Sequence, residues 1–174
     1  MAKDYLNIIE RALMMGLSDK INAEVTGDVY VHGQFPSTEE LKFPTLVVQQ
    51  VSSGFEEKFH GDSITFGSDT TNSSGEVYGI QFQVHIIVDK ETSIKIDTTG
   101  NGTPDTDYKQ RRLVNWLMLN IANSIMEIDW SVYEEEELQI LERHLASWRD
   151  VGYIDAVQWY GATADFNIYF LNKR

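Results

Sequence analysis

The sequence predicts an α+β fold: a mainly antiparallel sheet with a long β-hairpin, and helices packed on one face of that sheet. Apolar residues recur every three or four positions near the N-terminus and again in the second half of the chain, which indicates amphipathic helices. Elsewhere apolar and polar residues alternate, which indicates strands with one buried face. At 174 residues, the chain is expected to form a single domain over residues 1–174.

The composition excludes several classes of protein. It is 42% hydrophobic and 24% charged, which argues against extensive disorder. The chain has no cysteine, so disulfides, cysteinate metal sites and a thiol nucleophile are excluded. With 14 basic and 27 acidic residues, it has few cations with which to neutralise phosphates, so gripping of a nucleic acid is not expected. The N-terminal apolar residues are periodic and interrupted by charges, unlike a signal peptide or a membrane span.

The first elements are predicted to be a helix and then a strand. One face of a helix over residues 3–17 carries Leu6, Ile9, Leu13 and Leu17. The following link contains VYVHG, a short strand, and FPSTEELKFP, whose two prolines disfavour regular structure. The β-branched and apolar segment TLVVQQVSS, residues 45–53, predicts a strand.

A long β-hairpin is predicted over residues 55–88, with a polar tip at residues 67–76. Its second strand alternates cleanly over residues 79–90. The face predicted to be buried carries Ile80, Phe82, Val84, Ile86 and Val88. The opposite, polar face carries Gln81, Gln83, His85 and Asp89.

The second half predicts two helices and a hairpin. The first helix, residues 106–127, carries a broad apolar face with Leu113, Leu117, Ile121 and Ile125. The second, residues 129–150, opens with Ser131 and Glu134 at capping-box spacing. Its apolar face would comprise Leu138, Leu141, Leu145 and Trp148. A hairpin turning at Gly161-Ala162-Thr163 closes the chain.

The stretch DTTGNGTPDTD, residues 97–107, has two interpretations. As an EF-hand-type calcium loop, it places Asp97, Asn101 and Asp105 at positions 1, 5 and 9. Position 12 would be Tyr108, where such a loop needs a bidentate carboxylate. As the start of a helix, Thr103 would be the N-cap and Pro104 the first helical residue. The helix interpretation is preferred because it accounts for the carboxylates, the proline and the glycines without a metal ion, the glycines supplying a tight turn out of the preceding strand.

No catalytic constellation is recognisable, and the protein is not expected to be an enzyme. Its histidines, at positions 32, 60, 85 and 144, form no i, i+4 pair of the zinc-protease type. No G-x-S-x-G nucleophile elbow occurs. The glutamates at 134–137 are accounted for by a helix start, where negative charge is favourable.

The hairpin suggests an assembly role. A two-stranded ribbon that projects from a sheet is marginally stable alone in water, and its edges invite pairing with another strand. A subunit interface is therefore predicted on the hairpin, at Ile64, Phe66, Val77, Tyr78 and His85.

The order of elements resembles the tail terminator (tail completion) proteins of long-tailed bacteriophages, of the lambda type. A short N-terminal helix precedes a proline-bracketed link into the strand FPTLVVQQV. A long hairpin, the helix RRLVNWLMLNIANSI and a closing hairpin follow. The resemblance covers most of the chain, in element order and size.

The resemblance implies a structural protein without cofactor or catalytic residues. Such proteins form homo-hexameric rings in the tail or neck of the virion, assembled in the host cytoplasm. They cap the tail tube and join it to the head connector, so tail tube protein and a head-completion protein are the implied partners. DNA would pass through the lumen without specific binding, and the net charge of −13 suits a wall that repels it.

Two other functions remain open from the sequence. The first is a calcium-dependent binding module that uses the loop at residues 97–105. The second is a small enzyme or acidic regulatory protein, which would remain monomeric or dimeric and carry a concave polar pocket.

Overall fold

The computed structural model describes residues 5–37, 39–59, 63–66, 69–72, 75–132 and 138–173, and for residues 54–76, 138 and 172–173 within these ranges it describes the backbone alone. The helices are α1 Tyr5–Asn22 and α2 Gln110–Glu127, followed by a 3-10 turn at Trp130–Val132. The strands are β1 Val25–Thr26, β2 Tyr30–His32, β3 Thr45–Phe59, β4 Ser63–Phe66, β5 Asp69–Asn72, β6 Gly75–Asp89, β7 Ser93–Ile96, β8 Thr106–Lys109, β9 Leu138–Ile154 and β10 Trp159–Lys173.

The fold is α+β, as the sequence predicts. The main sheet has five strands in the order β2-β3-β6-β10-β9. Neighbouring strands in this sheet are antiparallel, except that β2 is parallel to β3. A second sheet has the order β1-β7-β8, and β4 pairs with β5. The helices α1 and α2 contact each other and the main sheet, so one face of this sheet is covered.

The two helices follow the predicted apolar rows. Helix α1 continues to Asn22, five residues beyond its predicted end, and buries Ile9, Ala12, Leu13, Leu17 and Ile21. Helix α2 buries Leu113, Val114, Leu117, Met118, Ile121, Ser124 and Ile125. Both rows meet the apolar residues of β6 in one core. Burial of these side chains accounts for most of the helical stability, since isolated helices of this length are marginal in water.

The long hairpin is confirmed in its backbone. Strands β3 and β6 pair from Thr45↔Ile87 to Phe59↔Gly75, with irregularities near Val51 and between Phe55 and Glu57. The predicted alternation of β6 is also confirmed, since its apolar face is at most 1% exposed. The predicted polar tip differs in one respect: β5, within the range 67–76, is a strand paired with β4.

The prediction of a helix over residues 129–150 is wrong. Residues 138–154 form β9, which pairs with β10 along almost its whole length. Ser131 lies in the 3-10 turn, and Glu134 lies outside the described residues. The apolar spacing is misleading because β9 contains three bulges, at Leu141, Ala146 and Val151. Each bulge inserts one extra residue, so side chains on one face become three positions apart instead of two.

The predicted closing turn at Gly161-Ala162-Thr163 is also wrong. These residues lie inside β10, where Gly161 pairs with both Ile87 and Gly152. The turn lies instead at residues 155–158. Ala162 and Ala164 are buried in β10, which α2 contacts. Their small side chains leave room for the helix to approach the sheet.

The helix start proposed for residues 103–107 is wrong as well. Helix α2 begins at Gln110, and the preceding β8 pairs with β7 from Ser93↔Lys109 to Ile96↔Thr106. Residues 97–105 therefore connect two strands of a hairpin. The glycines fulfil their predicted role in a tight turn: Gly100 and Gly102 have φ of 70° and 79°, values that favour glycine.

Candidate functional site

The strand β9 forms one edge of the main sheet. Among the described residues, no strand pairs with its outer side, although it is 17 residues long. Natural proteins keep such edges short, charged or covered, because unpaired backbone N–H and C=O groups recruit other strands. A long open edge is therefore a candidate site of assembly.

Helix α2 lies along the covered face of β9 and is held at both ends. Near its start, the Arg111 guanidinium forms a salt bridge with the Asp150 carboxylate. Near its end, Arg143 Nη2 donates to the Met126 carbonyl at 2.7 Å. The Arg143 bond places a cation at a helix C-terminus, where the helix dipole favours positive charge. The helix and the strand thus run in opposite directions, with a groove between them.

This β9–α2 groove has a volume of about 330 Å³. It is lined by Arg111, Val114, Asn115, Met118, Trp148, Asp150 and Ala162. Trp148 is 61% exposed, although aromatic side chains of this size usually bury most of their surface. An exposed tryptophan beside a groove is the kind of residue that anchors protein interfaces.

Other apolar side chains extend this surface. Leu145 and Tyr153 of β9 are exposed and share the sheet face of Trp148, since their β10 partners Phe166 and Tyr160 lie on the face of Ala164. On α2, Leu119 and Met126 are exposed and lie two turns apart on the side that carries Asn115, as the helical period requires. Single exposed apolar residues are ordinary, but a row along one edge is typical of an interaction surface.

The opposite edge of the main sheet is also largely open. The strand β2 pairs only with Thr45, Leu46 and Val47 of β3. Beyond Val47, no described strand covers the outer side of β3. Val51, at an irregularity of this strand, is 53% exposed. In the part of the chain that the structure describes, the main sheet thus presents two long strand edges, with exposed apolar side chains on β9 and one, Val51, on β3.

The face of the sheet away from the helices is polar and hydrogen-bonded within itself. Asp165 accepts from Gln83 Nε2 at 2.8 Å and from Ser147 Oγ at 2.6 Å. His85 Nε2 lies 3.2 Å from Gln49 Oε1. Amides and hydroxyls dominate this face, which suits contact with water or a polar partner more than a buried interface.

His85 is half-buried on this face, beneath the ring of Phe35 at 5.1 Å between ring centres. Its pKa lies below the ordinary histidine value because burial disfavours the charged ring. Asp165 opposes this shift and Arg149 adds to it. A neutral ring at physiological pH is consistent with its place in a hydrogen-bonded network.

The other predicted interface residues fall in two groups. Ile64 and Phe66 belong to β4, and their side chains lie outside what the structure describes. Val77 and Tyr78 are half-buried, and Tyr78 stacks on Phe170 at 5.5 Å. The structure therefore brings neither Val77 nor Tyr78 to the β9–α2 groove. Whether the hairpin residues contact another subunit stays a prediction.

The exposed Trp148 is not predicted from the sequence to be a site residue, because its apolar spacing is typical of a helix. A signal was present in WRDVGYI, residues 148–154, where aromatic and β-branched residues typical of strands accumulate.

The calcium candidates lie in the exposed loop between β7 and β8. Asp97 accepts four hydrogen bonds: Oδ1 from the N–H groups of Thr99 and Gly100 and from the Thr99 hydroxyl, and Oδ2 from the Gly102 N–H. Partial desolvation raises the pKa of Asp97, but these donors together outweigh it and hold the pKa below its usual value. Asn101 Oδ1 accepts from the Thr103 N–H, and Asp105 Oδ1 from the Thr98 and Thr106 hydroxyls. All three side chains thus stabilise the loop itself.

Within the described ranges, no group of three or more His, Cys, Asp or Glu side chains is arranged to hold a metal ion. Among the same residues, no helix has the length and apolar character needed to cross a bilayer. No protein-family model matches this chain, and no curated protein matches it either.

Proposed function

We propose that the protein is a structural component of a bacteriophage tail or neck, which forms a homo-hexameric ring as a tail terminator does. The ring would cap the tail tube and join it to the head connector. One observation carries the proposal: the described main sheet is open along two long edges, with exposed apolar side chains on β9 and the exposed Val51 on β3. Such a subunit is suited to assembly with copies of itself.

The geometry of the two edges favours a ring over a dimer. Contacts between different surfaces of identical subunits repeat from copy to copy, and they close into a ring when the rotation permits. A dimer with two-fold symmetry would use one edge twice and leave the other exposed. Two unlike edges, β9 and β3, are what a repeating contact uses.

The charge of the chain also supports a role around DNA that does not bind it. A net charge of −13 creates a surface that repels phosphates. In the proposed ring, DNA passes through the lumen and slides along it. The same charge disfavours a role in gripping a duplex, which requires clusters of Lys and Arg.

The test is the solution mass of the purified full-length chain, measured by light scattering over a range of concentrations. Negative-stain images of the largest species accompany it. A mass near six times 19.9 kDa with ring-shaped particles is expected. A second assay offers the protein to purified tail tubes, where binding to one tube end is expected. A monomer or dimer at every concentration, without binding to tubes, would overturn the proposal.

A further inference from the structure

We propose that the open edge of β9 in one copy pairs with the open edge of β3 in the next copy, and that this neighbour covers Trp148. This inference rests on the proposed function, because it assigns the contact that builds the ring. It names one occupant for the β9–α2 groove: a second copy of this chain.

The two edges are complementary in length. Strand β9 has 17 residues, and its outer side has no partner among the described residues. Strand β3 has 15 residues, of which only the first three pair with β2. Pairing the remaining part of β3 with β9 would satisfy backbone groups on both edges at once, which is the usual way in which an exposed strand edge acquires a partner.

The strand directions are also compatible. Within the main sheet, β3, β6, β10 and β9 alternate in direction, so β9 runs opposite to β3. A rotation about an axis roughly parallel to the strands keeps each strand's direction. The β3 edge of the next copy therefore meets β9 in the antiparallel arrangement, and the ladder of the sheet continues from copy to copy.

Apolar surface lies on both edges where the contact would form. Trp148 is 61% exposed beside the groove, and Val51 on β3 is 53% exposed. Two buried groove residues, Val114 and Met118, form an apolar floor beside Trp148. Covering Trp148 would remove a large apolar area from water, and tryptophan is among the residues that contribute most to interface affinity.

The absence of cysteine in the chain makes cross-linking the direct test. Arg149→Cys on β9 and Ser52→Cys on β3 both lie on the polar face of the sheet. Within one copy, these positions are three strand spacings apart, at least about 14 Å. Since a disulfide requires Cα atoms within about 7 Å, any bond must join two copies. Two further experiments allow for a different register of the contact. One treats the same variant with a short bis-maleimide, which links cysteines that are too far apart for a disulfide. The other uses Ser147→Cys in place of Arg149→Cys.

We expect the double variant to give a ladder of linked chains that ends at the size of the ring. Each single variant is the matched control: bonds formed by Arg149→Cys alone would report a β9–β9 contact, and bonds formed by Ser52→Cys alone a β3–β3 contact. Either single variant linking as well as the double variant would overturn the inference.

A second experiment removes the proposed apolar anchor of the contact, Trp148. Trp148→Ala is expected to weaken self-association at least about tenfold, as truncation of an interface anchor does. Its melting temperature at concentrations where the chain is monomeric should remain near that of wild type, because the side chain is mostly exposed. Met15→Ala, an exposed apolar residue on α1, is the control and should leave association unchanged.

The outcomes separate the two proposals. Rings that persist in Trp148→Ala and show no β3–β9 cross-link overturn this contact and leave the ring itself standing. Rings that persist in Trp148→Ala but no longer bind tail tubes would assign Trp148 to a different protein and also overturn the inference. Absence of any ring in wild type overturns both proposals.

Discussion

Asn22, the last residue of α1, satisfies both backbone polar groups of Val29. Its Nδ2 donates to the Val29 carbonyl at 3.1 Å, and the Val29 N–H donates to its Oδ1 at 2.8 Å. Val29 is 2% exposed, so water has little access to these groups. One side-chain amide thus fixes the chain between α1 and β2.

We expect Asn22→Ala to lower the free energy of unfolding by about 1–3 kcal/mol, because two nearly buried backbone groups lose their partners. Asn22→Asp should be comparably destabilising, since a carboxylate accepts from the N–H but donates nothing to the carbonyl. Urea unfolding measures both. Asp19→Ala, at an exposed position of α1, is the control, and an effect of Asn22→Ala no larger than this control would contradict the role of the amide.

Gly16 marks a close contact between α1 and the end of α2. A Cβ placed at Gly16 would lie 2.6 Å from Ile128 Cγ1. Gly16→Ala should therefore destabilise the protein by about 1–3 kcal/mol through overpacking, less the gain of about 1 kcal/mol in helix propensity.

A double-mutant cycle with Ile128→Ala tests this cause. Removing the Ile128 side chain creates the space that the new methyl group needs, so the double variant should be more stable than the sum of the two single changes predicts. Strict additivity would show that the contact with Ile128 is not what requires glycine.

The hydrogen bond between Ser147 and Asp165 should make stability depend on pH. The Ser147 hydroxyl lowers the pKa of Asp165, burial opposes this, and Gln83 adds to the lowering. A carboxyl whose pKa is lower in the folded state contributes stability above its ordinary value, about 3.9, and loses that contribution as pH falls through the folded value.

We expect Ser147→Ala to cost about 1 kcal/mol at pH 7, measured by urea unfolding. The difference from wild type should shrink at pH values below the folded pKa of Asp165, where the carboxylate is protonated. In an Asp165→Asn background, the effect of Ser147→Ala should no longer change over this range. A difference that stays constant with pH in the wild-type background would contradict the assignment.

The loop between β7 and β8 should be ordered by Asp97 without a metal ion. Asp97→Ala is expected to speed hydrogen exchange at Thr99, Gly100 and Gly102, because their N–H groups donate to this carboxylate in the wild type. Calcium at millimolar concentration should leave the melting temperature unchanged. A rise with calcium that Asp97→Ala abolishes would favour the calcium-binding alternative instead.

The local sequence pattern was sufficient to predict the elements in which no bulge alters the spacing of the buried residues. The apolar rows of α1 and α2 follow the helical period, and the alternation of β6 follows the strand period. The described residues of the proline-bracketed link also lack helix and strand, as predicted. For these segments the sequence determined the type of element and the buried face.

The tertiary structure alone decided β9 and the surface that it forms. Leu145 and Trp148 are three residues apart, which is a helical spacing, yet both lie on one face of a strand because the bulge at Ala146 adds a residue between them. Whether such a segment becomes a helix or a strand depends on the partner β10, whose backbone groups pair with it. The groove beside Trp148 likewise exists only where α2 and β9 meet. The energies of strand pairing and packing depend on contacts between residues distant in sequence, which the local spacing of apolar residues does not reveal.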